Sequence, residues 1–143
     1  MQMKAKSNLP KVEMPDCPIE KNLKGQQALV TGANSGIGRA TSIHLARAGH
    51  RVIGTVRSRD KAAKLDAMAS DAGVAVELVE LDVADDASVA DGFAEILELT
   101  GRVDHLVNNA GAAFFGAFED YTDEEFERAL RTNLIGPAEL TRA

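Results

Sequence analysis

The chain has 143 residues, 22 acidic against 16 basic, for a net charge of −6 with histidine neutral; 45% of it is hydrophobic and 27% charged. That balance excludes wholesale disorder and fibrous repeats, and the length allows one buried core but hardly two. The longest uncharged stretches, 25–38 and 105–118, hold 14 residues each and carry polar residues, short of the ~20 apolar residues of a membrane span.

Residues 1–24 read as a solvated N-terminal extension. They contain five Lys against three acids, Pro10, Pro15 and Pro18, and no apolar core of a secretory signal. Two surplus charges without interleaved aromatics are a poor footprint for nucleic acid. The one cysteine, Cys17, has no internal disulfide partner and no histidine near it in sequence, so it reads as an incidental thiol in a reducing cytoplasm.

From Gly25 to Ala143 short apolar runs alternate with amphipathic stretches, predicting one α/β domain. Strands are expected at 27–31, 51–56, 74–81 and 103–108, β-branched and apolar on both faces as in a covered parallel sheet. The helix after the first strand should close at Gly49. The next is expected from a Ser58 cap to about Ala72, and the third from Asp86 to Gly101, with Val89, Phe93, Ile96 and Leu97 at helical spacing. Right-handed connections then give a Rossmann-like doubly wound sheet of order 3-2-1-4, with a ligand crevice at the carboxyl ends of strands 1 and 4. A last helix opens at Thr122-Asp123-Glu124-Glu125 with the pattern of a capping box, and Phe126, Leu130, Leu134 and Ala138 form its expected buried stripe. No Gly, Pro or basic cluster closes it before Ala143, as in a chain cut from something longer.

The strongest signal for chemistry is Thr31-Gly32-Ala33-Asn34-Ser35-Gly36-Ile37-Gly38, placed between a strand and a helix. Backbone N–H groups and the helix dipole there make a phosphate cradle, and glycines let the anion approach. About seventy residues later comes Asn108-Asn109-Ala110-Gly111. Together the two motifs resemble the classical short-chain dehydrogenases/reductases, as do Asp82-Val83 and Asn133-Leu134, over roughly residues 25–143. The resemblance implies a Rossmann domain that binds NAD(H) or NADP(H), a small alcohol or ketone as substrate, and a homo-oligomer, dimer or tetramer.

It also assigns roles. Gly32, Asn34, Ser35, Gly36, Ile37 and Gly38 would hold the pyrophosphate, and Asp82 and Val83 the adenine. Asn109, Ala110 and Gly111 would lie along a ribose. An acid selecting NAD would fall at about Val56; Arg57 stands next to it, placed to pair with a 2′-phosphate, with Arg59 or Arg39 to assist. NADP(H) is therefore expected over NAD(H), although Ser35 occupies a position where NADP-preferring relatives often carry a base. Asp82 has an alternative reading as a helix cap, a role Asp85 could also take.

Asn133 is the expected catalytic contribution. Its spacing from Phe126 and Leu130 puts it on or beside the buried stripe, and Pro137, four residues on, has no N–H for its carbonyl. In the family the matching Asn contributes to a proton relay through a water at a helix kink. The family's serine and Tyr-x-x-x-Lys cannot be assigned. Tyr121 is followed four residues later by Glu125, not Lys, and His44, His50 and His105 lack metal-ligand spacing. The expectation is an oxidoreductase whose 143-residue chain is inactive alone and marginally stable, with strand 4 as an open edge. A non-catalytic dinucleotide-binding module or redox-sensing regulator is the alternative, which the pairing of Asn133 with Pro137 disfavours.

Overall fold

A computed structural model describes residues 24–113 and 115–143; the N-terminal extension through residue 23, with Cys17, lies outside the described residues. In chain order the elements are β1 Gln27–Val30, α1 Gly36–Arg47, β2 Arg51–Val56, a 3-10 turn Arg59–Lys61, α2 Ala63–Asp71 and β3 Glu77–Glu80. There follow α3 Asp86–Thr100, β4 His105–Val107, a second 3-10 turn Phe118–Asp120, α4 Asp123–Leu130, a π turn Arg131–Ile135 and α5 Gly136–Arg142. The strands form one parallel sheet in the order β3-β2-β1-β4, as the pattern predicts.

The sheet is covered on both faces because successive residues of a strand point to opposite sides. On β1, Leu29 faces one layer with Ile53, Val79, Ile96 and Leu140, whereas Ala28 and Val30 face the other with Val52 and Leu45. Leu29 is in register with both Ile53 and Leu106, so the central strand is apolar on each side. Helices α3 and α5 contribute to the first layer, α1 to the second. None of the described helices is long and apolar enough to cross a membrane.

Several boundaries differ from expectation. The third strand covers only Glu77–Glu80 and the fourth only His105–Val107. Val74 and Val76 are nevertheless packed against the buried residues beneath α1 and α2, so their apolar character reports burial and not strand pairing. Ser58 opens the 3-10 turn without a side-chain capping bond, and α2 starts at Ala63.

The largest correction concerns the last helix. Its capping box is present, with Glu125 N–H donating to Thr122 Oγ1 at 3.2 Å and Thr122 N–H to Glu125 Oε2 at 3.0 Å. The expected stripe of Phe126, Leu130, Leu134 and Ala138, however, is exposed, Leu134 at 63%. Thr132, Gly136 and Leu140 are buried instead. That row is offset by two residues, about 200° around a helix. The face with a glycine wins because a Cβ at Gly136 would overlap the Val83 carbonyl; the backbone itself packs on the loop after β3.

Two carboxylates tie down the amino end of the sheet. Asp104 Oδ2 accepts from the Gln27 backbone N–H at 2.8 Å, which, with Arg102 adding, holds its carboxyl below the usual range. Glu77 is lowered in the same sense by its bond to Arg51 at 2.6 Å. A depressed carboxylate stabilises the fold above its unfolded pKa, about 4, and loses that contribution as pH falls through the folded value. Asp104→Ala should therefore lower the melting temperature at pH 7, and the gap to the parent should narrow as pH falls below about 4, as read by thermal denaturation across that range.

Candidate functional site

The loop after β1 is fixed from two sides. Buried Thr31 accepts at Oγ1 from the N–H groups of Asn109 and Ala110, both at 2.9 Å, and its own N–H donates to the Val107 carbonyl at 3.1 Å. The Asn109 amide reaches back to the Thr31 carbonyl at 2.8 Å and the Gly32 carbonyl at 3.3 Å. From the β2 side, the Thr55 carbonyl accepts from Ala33 N–H at 2.9 Å.

This bracing leads the chain into α1 through two residues whose nature matters. Gly32 has φ +66°, a left-handed conformation open to glycine. Gly38 is needed for closeness: a Cβ there would overlap Asn109 Nδ2 and stand 2.5 Å from the Gly32 carbonyl oxygen. Ser35 precedes the helix with extended backbone and no side-chain cap, and the first turn of α1 holds no acidic residue. Its first N–H groups and dipole are thus offered to an anion.

The loop forms one wall of a crevice of about 700 Å³ at the carboxyl ends of the strands. Gly32, Asn34, Ser35, Gly36 and Ile37 line it, with Asn109, Ala110 and Gly111 opposite; Gly38 lies behind, as packing and not as lining. At the far end stand Asp82 and Val83 from beyond β3 and Arg57 from beyond β2. Asp82 is not the cap of α3: Asp85 takes that role, accepting from Ser88 N–H at 2.7 Å. Asp82 instead accepts from Ala84 N–H at 3.0 Å through Oδ1, and its own N–H donates to Ser88 Oγ at 2.9 Å. Its carboxylate is held at the crevice wall.

The assisting arginines named from the sequence are otherwise engaged. Arg59 pairs with Glu95 at 3.3 Å, and Arg39 donates to the Asn34 carbonyl at 3.3 Å. The second cation on the β2 side of the crevice is Lys61, which sequence reading missed because residues from Ser58 on were read as one helix; Arg128 of α4 is a third. Among the described residues neither Arg57 nor Lys61 makes an ion pair. Arg128 and Thr132 were missed as well; the signal was their spacing of four, which puts both on one helical face one residue before Asn133.

Asn133 is exposed and not part of a buried stripe, a second consequence of the helix's other face packing inward. Its amide clamps the loop after β4, with Oδ1 accepting from Ala112 N–H at 3.0 Å and Nδ2 donating to the Ala112 carbonyl at 2.7 Å. The helix around it is widened into a π turn, with Gly136 N–H donating five residues back to Arg131. Pro137 has no N–H, so the Asn133 carbonyl lacks its usual helical donor. Arg131 ties this turn to α3 through Asp86 at 2.7 Å. Tyr121 stands before α4 with its ring against Phe118, and no cluster of potential metal ligands occurs among the described residues.

Residues 26–143 match the short chain dehydrogenase family. The chain belongs to the short-chain dehydrogenases. It is 41% identical to dehydrogenase/reductase SDR family member 13 of Homo sapiens over 132 residues, covering 91% of this chain and 34% of that protein. It is 35% identical to a sepiapterin reductase of Chlorobaculum tepidum, covering 80% and 50%. Among solved structures, a metagenomic short-chain oxidoreductase in complex with NADP superposes with a TM-score of 0.79 at 35% identity, over 85% of this chain and 56% of that one. The chain thus spans about a third to a half of the curated relatives' length. Short-chain dehydrogenases are oxidoreductases that bind NAD(P) and act on small molecules, and the crevice offers such a ligand a glycine-shaped wall and a helix N-terminus.

Gly38→Ala should destabilise the fold by about 1–3 kcal/mol, the range for overpacking, because both atoms it meets belong to the braced loop. Urea denaturation of variant and parent measures this.

Proposed function

We propose that residues 25–143 form the dinucleotide-binding part of an oxidoreductase that interconverts an alcohol and a carbonyl and prefers NADP(H) to NAD(H). One observation carries the preference: β2 ends in Val56, with no carboxylate, and is followed by two unpaired cations, Arg57 and Lys61, that line the crevice. A carboxylate at that position would bind ribose hydroxyls and repel a 2′-phosphate; a guanidinium and an ammonium do the reverse.

On this reading the N-terminal N–H groups of α1, shaped by Gly32, Asn34, Ser35 and Gly36, take the pyrophosphate, and Gly38 lets the helix sit close enough. Ile37 stands exposed at the rim toward the reacting end. Asp82 takes the adenine amino group and Val83 lies against the ring. Asn109, Ala110 and Gly111 bring backbone close to a ribose, with Asn109 also holding the wall in place. Bound nicotinamide would donate or accept the hydride. Asn133 spends its side chain on Ala112, so its share in moving a proton would fall to its backbone carbonyl, which gets no N–H from Pro137 and would hold a water. The serine, tyrosine and lysine of the family's general acid–base chemistry are not assigned among these 143 residues, so the chain alone should bind coenzyme without turnover. The same reading puts the protein in the cytoplasm and, with the apolar row Phe126, Leu130 and Leu134 exposed, makes it a homo-oligomer.

Titration of the chain with NADPH and NADH, followed by nicotinamide fluorescence, tests the proposal. NADPH should bind at least about tenfold tighter, and Arg57→Ala should weaken NADPH by about 10- to 100-fold, the worth of a charged hydrogen bond, while leaving NADH nearly unchanged. Uptake of neither nucleotide would remove the functional reading; tighter NADH would reverse the coenzyme.

A further inference from the structure

The turn between β2 and α2 carries three cations in five residues, Arg57, Arg59 and Lys61, and the fold sorts them. Arg57 and Lys61 line the crevice; Arg59 turns outward to Glu95 on α3, at 3.3 Å. The sorting depends on how the 3-10 turn begins. Its first N–H, that of Arg59, has no acceptor within the turn, and Ser58 makes no side-chain capping bond to the N–H groups that follow. The N–H donates instead to Glu80 Oε1, at the last residue of β3, at 2.8 Å. The turn then closes on itself, Lys61 N–H to the Ser58 carbonyl at 3.2 Å and Ala62 N–H to the Arg59 carbonyl at 2.9 Å. Residues of a 3-10 turn are spaced at about 120°, so a turn fixed with Arg59 toward α3 directs Lys61 elsewhere, to the crevice side.

We infer that Glu80 is a positioning residue for coenzyme selection: by capping this turn from the neighbouring strand, it keeps Arg57 and Lys61 facing the phosphate that distinguishes NADP(H). This rests on the coenzyme preference proposed above. As a charge, Glu80 works against an anion bound nearby; as an acceptor, it shapes the turn that attracts one. The two effects have opposite signs in the NADPH-to-NADH affinity ratio, which makes them separable.

Glu80→Gln and Glu80→Ala both remove the charge, but only Glu80→Gln leaves an oxygen for the Arg59 N–H. The ratio of NADPH to NADH affinity in Glu80→Gln should equal or exceed the parent's, and in Glu80→Ala it should fall about tenfold below Glu80→Gln. Amide hydrogen exchange, which needs no nucleotide, should accelerate at Arg59 in Glu80→Ala and stay near the parent rate in Glu80→Gln. Equal ratios in the two variants, or an Arg59 amide as protected in Glu80→Ala as in the parent, would overturn the inference. A parent chain that shows no preference for NADPH would instead bring down the coenzyme reading, and the selecting role with it, whatever the exchange at Arg59 shows.

Discussion

The junction between Thr31 and Asn109 sets the geometry on which the crevice depends. The backbone pairing of β1 with β4 ends at the bond from Thr31 N–H to the Val107 carbonyl, and beyond it the two chains leaving the sheet have no ladder between them. A buried hydroxyl and one side-chain amide replace it, with Thr31 Oγ1 taking two backbone N–H groups and Asn109 Nδ2 reaching two carbonyls. Each of these polar groups is partnered, so the bracing costs little in desolvation. Because it draws the Gly32 carbonyl and the Asn109 amide against α1, it also requires a residue without a side chain at Gly38. The strand-to-helix turn, the helix N-terminus and the opposite wall are one hydrogen-bonded unit.

Charge is distributed on the same principle of partners first. Arg51, Arg59 and Arg131 are spent on carboxylates that tie elements together and Arg102 on a local one, while Arg57, Lys61 and Arg128 line the crevice. Exposed pairs of this kind are each worth ~0–1 kcal/mol, so their value lies more in direction than in stability. In a chain of net charge −6, the two cations on the β2 side of the crevice outnumber the one carboxylate beside them, Asp82.

Much of this was legible in the residues. Apolar runs with helical stretches between them gave the sheet and its order, and the glycine spacing with Asn109 marked both walls of the crevice. Pattern failed where tertiary packing chose between options that sequence leaves equal. The last helix offers a large apolar row and a small one, and only the approach of backbone at Val83 explains why Thr132, Gly136 and Leu140 turn inward. Arg59 and Lys61 look alike in sequence; their separation depends on Glu80 and Glu95, more than twenty residues away. Asn133 was found for its proline, but its two-bond grip on Ala112 could not be read from spacing.

The contact of Gly136 with Val83 has a mechanical consequence. Side chains between packed elements act as shims, and a change of rotamer lets one element shift while the other stays. Here nothing intervenes between helix backbone and carbonyl, so the seam has no such slack. A displacement of α5 is a displacement of the crevice wall at Val83, which joins the π turn that carries Asn133 to that end of the crevice without an intervening side chain.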